Sequence, residues 1–250
     1  MRIAHIITFL GLAGLAVAQP PTDSRVKATA ALERAQVALG GLDRLLAVRT
    51  LSKTVELTRQ PNGDKAQQSV VIIFPNTIRL ASTVGSMAYT AFYSEKTAWI
   101  QYPWSVEGEF PKWQAVAARQ DLLRQLERLV ISDRDSTRNL EFIGREQVEG
   151  AEADVVQVSS EEGGKVRLWI AAVSGDPLKL EYPRIVAQGK GPMVSEYYSD
   201  FRKVGGIRSP FRIKMLEDGQ PYMESVVVSL EYNKSLRAED LARRNEPPKK

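Results

Sequence analysis

The side chains able to do chemistry in this sequence are few in kind. The chain has no cysteine and one histidine, His5, which lies in an apolar leader. That removes Ser-His-Asp and Cys-His nucleophile systems, His-ligated zinc or iron, iron–sulfur clusters and thiol redox chemistry together. Carboxylate pairs, Ser-Lys systems and oxygen-ligated calcium or magnesium survive the exclusion. Glu196 and Asp200 are the carboxylates best spaced for acid–base work, because they share one parity of a strand pattern. Same-side carboxylates are also what a solvated strand face carries, and no neighbouring residue marks this pair as buried. Asp133-Arg134-Asp135 lacks the glycine and glutamate that follow in a calcium loop. Gly189-Lys190-Gly191 is not followed by a helix whose N-terminus could cradle a phosphate. The expectation is a non-enzymatic protein with no catalytic residues, no metal and no cofactor.

The elements that would position any site begin after the leader. Met1-Arg2 is a positive start, Ile6 to Val17 is a short apolar run, and Ala16-Val17-Ala18 before Gln19 has the form of a signal-peptidase site. Residues 1–18 read as a cleaved signal peptide. An uncleaved anchor is the other reading, disfavoured by a run that ends in small residues and prolines. The expected location is the periplasm, with the mature chain soluble. Lacking cysteines, the mature chain must rely on its core, and a chain of this length buries about 70% of its unfolded surface. A net charge of +4 dispersed along 250 residues does not argue for nucleic acid.

Strand patterns dominate. From Val194 to Asn233 three antiparallel strands are expected, separated by Gly205-Gly206 and Asp218-Gly219. In the middle strand Ile207, Phe211, Ile213 and Met215 fall on one parity, and Arg208, Arg212 and Lys214 on the other. Val70 to Phe74 is apolar on both parities and should be covered on both faces. Pro103 to Trp113 has a loop composition loaded with Trp104, Val106, Phe110 and Trp113. It either closes over an apolar pocket or pins a crossover loop to the core. Gln114 to Val130 reads as one helix with Leu122, Leu126 and Leu129 toward a sheet, and its interleaved charges do not mark a site. The expected fold class is α+β: a strongly curved, incomplete antiparallel β-barrel of about eleven strands, with helices covering or plugging the concave face. Residues 19–236 form one domain, and residues 237–250 a polar C-terminal tail.

Several stretches resemble the LolA/LolB-like superfamily of periplasmic lipoprotein and lipid carriers, in particular its outer-membrane lipoprotein-sorting branch. They are Ala38-Leu39-Gly40-Gly41 with Leu45 and Val48, Phe142-Ile143-Gly144-Arg145-Glu146-Gln147-Val148-Glu149-Gly150, and Leu168-Trp169-Ile170 followed by Asp176-Pro177. Ser199-Asp200-Phe201-Arg202-Lys203-Val204-Gly205-Gly206-Ile207, with Pro210 and Asp218-Gly219, is the most similar. The resemblance implies an incomplete barrel whose helices lid a hydrophobic cavity for acyl chains. It implies a carrier or chaperone for a lipid or an acylated lipoprotein, with a membrane-bound donor or acceptor protein as a further partner. The alternative on the same fold is an envelope-sensing or protein-docking module. No individual arginine is carried over as the lid-locking residue of the LolA carriers.

The expected lipid-binding cavity candidates are Met87, Tyr89, Phe92, Trp99, Tyr102, Trp104, Trp113, Phe211 and Met215. For each, ordinary core packing is the competing role.

Overall fold

The computed structural model describes residues 22–103, 105–109, 111–161 and 164–244. The leader, Trp104, Phe110 and Pro247-Pro248-Lys249-Lys250 lie outside them. The first helix, α1 (Thr22–Ala38), turns Ala28, Ala31, Leu32 and Ala35 inward, all fully buried. This is the spacing of one helical face, and its three alanines let the helix axis approach the strands closely. A short α2 (Leu42–Leu46) follows. Between them Gly40 has φ 118°, and a Cβ there would lie 2.4 Å from the Gly206 carbonyl oxygen.

The strands of the described residues number eight up to Ser160 and five after it. The first group is β1 (Thr50–Arg59), β2 (Lys65–Ile73), β3 (Thr77–Val84), β4 (Met87–Tyr93), β5 (Ala98–Tyr102) and β6 (Ser105–Glu109) before the central helices, with β7 (Asn139–Val148) and β8 (Ala151–Ser160) after them. The second is β9 (Gly164–Ala171), β10 (Pro177–Val186), β11 (Gly189–Val204), β12 (Ile207–Glu217) and β13 (Gln220–Tyr232). All thirteen belong to one antiparallel sheet in the order β6-β5-β4-β3-β2-β1-β13-β12-β11-β10-β9-β8-β7. The sheet is not closed, since β6 and β7 are its edges. Thirteen strands exceed the expected count of about eleven. One of those not anticipated is β6, which forms inside Pro103–Trp113, a stretch expected to be a loop.

The local turn chemistry behaves as the residues dictate. Glu149-Gly150, Gly205-Gly206 and Asp218-Gly219 all place both residues at positive φ, the geometry that matches the twist of a two-residue hairpin. The pairing of β1 with β13 is of another kind. It joins Leu51 to Tyr232 and Arg59 to Met223, bringing the first and last strands together in the middle of the sheet.

α1 lies against β7, β8 and β9, and α3 (Lys112–Leu123) against β10 and β3. Their buried faces join the inner strand faces in one core that includes Leu32, Leu45, Ile72, Leu129, Leu168 and Leu180. The doubly apolar run of β2 divides as its alternation requires: Val70 and Ile72 enter this core, while Val71 and Ile73 pack in a separate outer cluster with Phe92, Trp99 and Leu241. Leu241 belongs to α5 (Ala238–Ala242). Residues expected to begin a polar tail thus dock on the outer face, where Trp99 Nε1 donates to the Ala242 carbonyl at 3.1 Å and Arg79 to that of Arg243 at 2.7 Å.

Candidate ligand cavity

The expected single helix over Gln114–Val130 is two helices. α3 ends at Leu123, Gln125 takes an extended conformation (φ −63°, ψ 123°), and α4 (Leu126–Leu129) restarts the winding. Gln125 offsets the break by donating from Nε2 to the Asp121 carbonyl at 2.8 Å. The leucine stripe survives it, with Leu122, Leu126 and Leu129 all buried. What changes is the role of the charged residues: Asp121, Arg124 and Glu127, whose pattern marked no site, line an interior cavity together with Gln125.

This inner cavity, of about 130 Å³, lies between the break and the concave face of the sheet. Its walls are apolar on β1, β2 and β3 (Leu51, Val55, Val70, Ile78, Leu80) and on β12 (Ile213, Met215). A second space of about 190 Å³ opens beneath the start of α3, lined by Tyr89, Ala91, Ile100, Trp113 and Ala117. The two share Ile78, Leu80 and Asp121 as a common wall.

Polar groups hold the roof to the wall. The Arg124 guanidinium donates to Glu196 of β11, and its Nε holds Asp121 at 2.9 Å. Glu196, 3% exposed, also accepts from the Tyr182 hydroxyl at 2.7 Å and the Tyr198 hydroxyl at 3.1 Å. Burial pushes both tyrosine pKa values well up, which keeps them as donors to the carboxylate. Burial opposes the charge of Arg124, but Tyr182, Glu196 and Asp121 overcome it and hold the guanidinium well above its ordinary value. A second set centres on Glu127, 7% exposed, which accepts from the Tyr232 hydroxyl; that hydroxyl in turn lies 2.6 Å from Ser209 Oγ. Lys53 donates to Gln125 Oε1 at 3.3 Å. Burial lowers its pKa, and the charge of Glu127 works in the opposite direction.

The nine sequence candidates are dispersed. Met215 lines the inner cavity, and Tyr89 and Trp113 line the adjoining space. Tyr102 stands beside Tyr89, with ring centroids 6.2 Å apart. Phe211 is buried against Val55 and Val227, with Arg202 over its ring at 4.7 Å. Met87 is 53% exposed at the start of β4. Phe92 and Trp99 stack 5.7 Å apart and are covered by Leu241; Phe92 also borders the space that Tyr89 and Ala91 line, whereas Trp99 does not. Trp104 lies outside the described residues.

Glu196 and Asp200 part company. Glu196 points into the network, whereas Asp200, at φ 54°, turns outward to pair with Arg202 at 2.7 Å. The residues that sequence reasoning missed are Lys53, Asp121, Arg124, Gln125, Glu127, Tyr182, Tyr198 and Tyr232. One signal was present for Lys53: it interrupts the apolar parity Leu51, Val55, Leu57. Among the described residues no group of three or more His, Cys, Asp or Glu side chains is placed to hold a metal ion, and no helix is long and apolar enough to cross a membrane.

No protein-family model matches this sequence, and no curated protein does. Solved structures do resemble it. A LolA superfamily protein from Nitrosomonas europaea superimposes with a TM-score of 0.60 at 14% identity, covering 86% of this chain and 97% of that one. An outer membrane lipoprotein-sorting protein domain from Vibrio parahaemolyticus superimposes with a TM-score of 0.57 at 11% identity, covering 87% and 97%. At such identities the likeness speaks to the fold.

Proposed function

We propose that this chain, which carries the fold of LolA-superfamily structures, is a non-enzymatic periplasmic carrier or chaperone that binds a lipid, or the acyl chains of a lipoprotein, between α3 and the concave face of β1–β5. The observation that carries this reading is the unfilled apolar space beneath α3. Protein interiors pack to crystal-like density, and a helix serving only as a plug would leave no pair of adjoining spaces with Ile78 and Leu80 as their shared wall. Dry apolar cavities of about 150 Å³ take up small apolar molecules; the space lined by Tyr89, Ala91, Ile100, Trp113 and Ala117 suits a segment of hydrocarbon, and the adjoining one offers apolar strand walls beneath a polar roof. Each methylene buried adds about 0.8 kcal/mol, and affinity accumulates without directional chemistry.

A whole acyl chain needs more room. Spaces of 130 and 190 Å³ fall below the roughly 300 Å³ at which ligand pockets begin. Binding therefore involves lifting α3, whose polar links to the wall include Arg124 to Glu196 and Gln120 Nε2 to the Pro183 carbonyl. The test is organic extraction of purified protein followed by mass spectrometry, together with titration by a fluorescent fatty acid. Co-purifying lipid or saturable uptake is the expected result. Neither lipid nor uptake would sink the proposal, and a stoichiometric protein partner retained without lipid would favour the docking alternative, which the small volume of the closed cavity supports.

A further inference from the structure

A larger cleft lies apart from the cavity, at the end of the half-barrel. It has a volume of about 450 Å³ and is enclosed by the end of α2, the β2–β3 and β4–β5 turns, the flank of α3 and the segment after α4. Five arginines line it, Arg49, Arg119, Arg128, Arg134 and Arg138, against two carboxylates, Glu95 and Asp135. Its floor includes Phe74 and Ile131, both buried. We propose that this cleft is a binding site for a phosphate group, borne either by a lipid headgroup or by a small soluble ester.

Three features argue for an anion there. The first is the convergence of arginines from four separate elements: Arg134 is paired with Asp133 and Glu33 and Arg138 with Asp135, but Arg49 and Arg128 have no ion pair among the described residues, and apolar walls weaken solvent screening of their charge. The second is unused donor capacity. Arg128 donates through Nη2 to the Val48 carbonyl at 2.6 Å and lies 4.6 Å over the Phe74 ring, which leaves its buried Nε without a partner. Arg138 donates from Nε to Asp135 at 3.1 Å, and its buried Nη1 has no partner. Buried donors are normally satisfied, and these two unsatisfied nitrogens belong to side chains that both line this cleft. The third is the setting of Arg128: burial first, and then the charge of Arg49, lower its pKa against the opposing charge of Glu127.

The guanidinium groups also favour phosphate over a carboxylate. A guanidinium presents planar pairs of N–H donors that match phosphate oxygens, and several of them arranged around one point suit a tetrahedral acceptor better than a flat one. Arg119 is placed by its hydrogen bond to the Tyr93 hydroxyl at 3.1 Å. Arg134 is held at the rim by Asp133 at 2.9 Å and Glu33 at 3.6 Å. The inference does not depend on the cavity beneath α3 being a lipid site.

The experiment uses the whole mature chain. Binding of inorganic phosphate and of glycerol phosphate is measured by calorimetry, and co-flotation is measured with phosphatidylglycerol vesicles. Each is repeated for Arg49→Gln/Arg134→Gln, both exposed positions, and for Arg202→Gln, which removes a charge elsewhere. Saturable binding of either soluble probe, weakened about tenfold or more in the double variant and unchanged in Arg202→Gln, supports a soluble ester. Co-flotation with the same variant pattern, but without soluble binding, supports a headgroup. Absence of both, equal loss in Arg202→Gln, no loss in the double variant, or equal affinity for a glutamate-rich peptide overturns the proposal. Fatty-acid uptake measured on the same variants is expected to be unchanged, so failure of this inference and failure of the cavity reading are separable.

Discussion

Arg124, at the end of α3, and Glu196, in the middle of β11, form a buried ion pair that ties the roof of the cavity to its wall. The pair exists because the chain breaks helix at Gln125, so that Arg124 is the last residue able to turn inward before the backbone extends. Taking one partner away leaves the other uncompensated in a water-poor setting. Arg124→Ala is expected to cost about 3 kcal/mol in urea denaturation. Arg124→Met/Glu196→Met should recover part of that loss, since it removes the uncompensated charge but leaves the buried Tyr182 and Tyr198 hydroxyls without their acceptor. Equal destabilisation by the single and double variants would show that packing, and not the pair, is what the site requires.

The wall shared by the two spaces offers a test of binding that leaves the roof intact. Leu80→Trp places a large apolar group where Leu80 borders both. Fatty-acid uptake should fall by an order of magnitude or more, while thermal stability is kept or rises as the void is filled. Unimpaired uptake by this folded variant would place the ligand elsewhere.

Lys53 sets a pH dependence whose sign follows from its burial. Its folded pKa lies below the ordinary 10.5. Between the two values the unfolded chain holds the proton and the folded chain does not, so stability from this group rises as pH increases through that window. The stability of the parent protein relative to Lys53→Met should therefore climb as pH rises toward the ordinary lysine value of 10.5. A flat difference across that range would mean that the ammonium is solvated in the folded state.

Gly40 meets the β11–β12 turn. At φ 118°, with a built Cβ 2.4 Å from the Gly206 carbonyl oxygen, Gly40→Ala combines backbone strain with overpacking and should cost at least about 2 kcal/mol. Gly41, at φ 101° with open space around it, controls for strain alone, and Gly41→Ala should cost clearly less in the same denaturation assay.

The outer cluster depends on the last described helix. Leu241 covers Phe92 and Trp99, and Leu241→Ala is expected to cost about 2 kcal/mol. Deletion of residues 237–250 should shift tryptophan emission to longer wavelength, as Trp99, 3% exposed in the intact chain, becomes wet. Unchanged emission would show that α5 does not cover the indole in solution.

Alternation and turn chemistry are local, and the residues themselves state them. The Gly205-Gly206 and Asp218-Gly219 hairpins, the opposed parities of β12, the double coverage of Val70 to Phe74 and the resemblance of Ala38-Leu39-Gly40-Gly41 to a known fold were all legible in the sequence. So was the α+β half-barrel itself. Tertiary structure decided which parity faces the cavity and which faces α5. The alternation that exposes a strand's two faces is the same whichever side a helix comes to cover, so Tyr89 and Trp99 read alike until the sheet curves. It also decided the polar interior. The break at Gln125 is a backbone event that side-chain periodicity over Gln114–Val130 does not register, and Glu196 looks solvated until β10, β11 and α3 meet around it. Burial of a charge depends on residues far away in the chain, here Arg124, Tyr182 and Tyr198 closing on Glu196, and only the assembled fold brings them together.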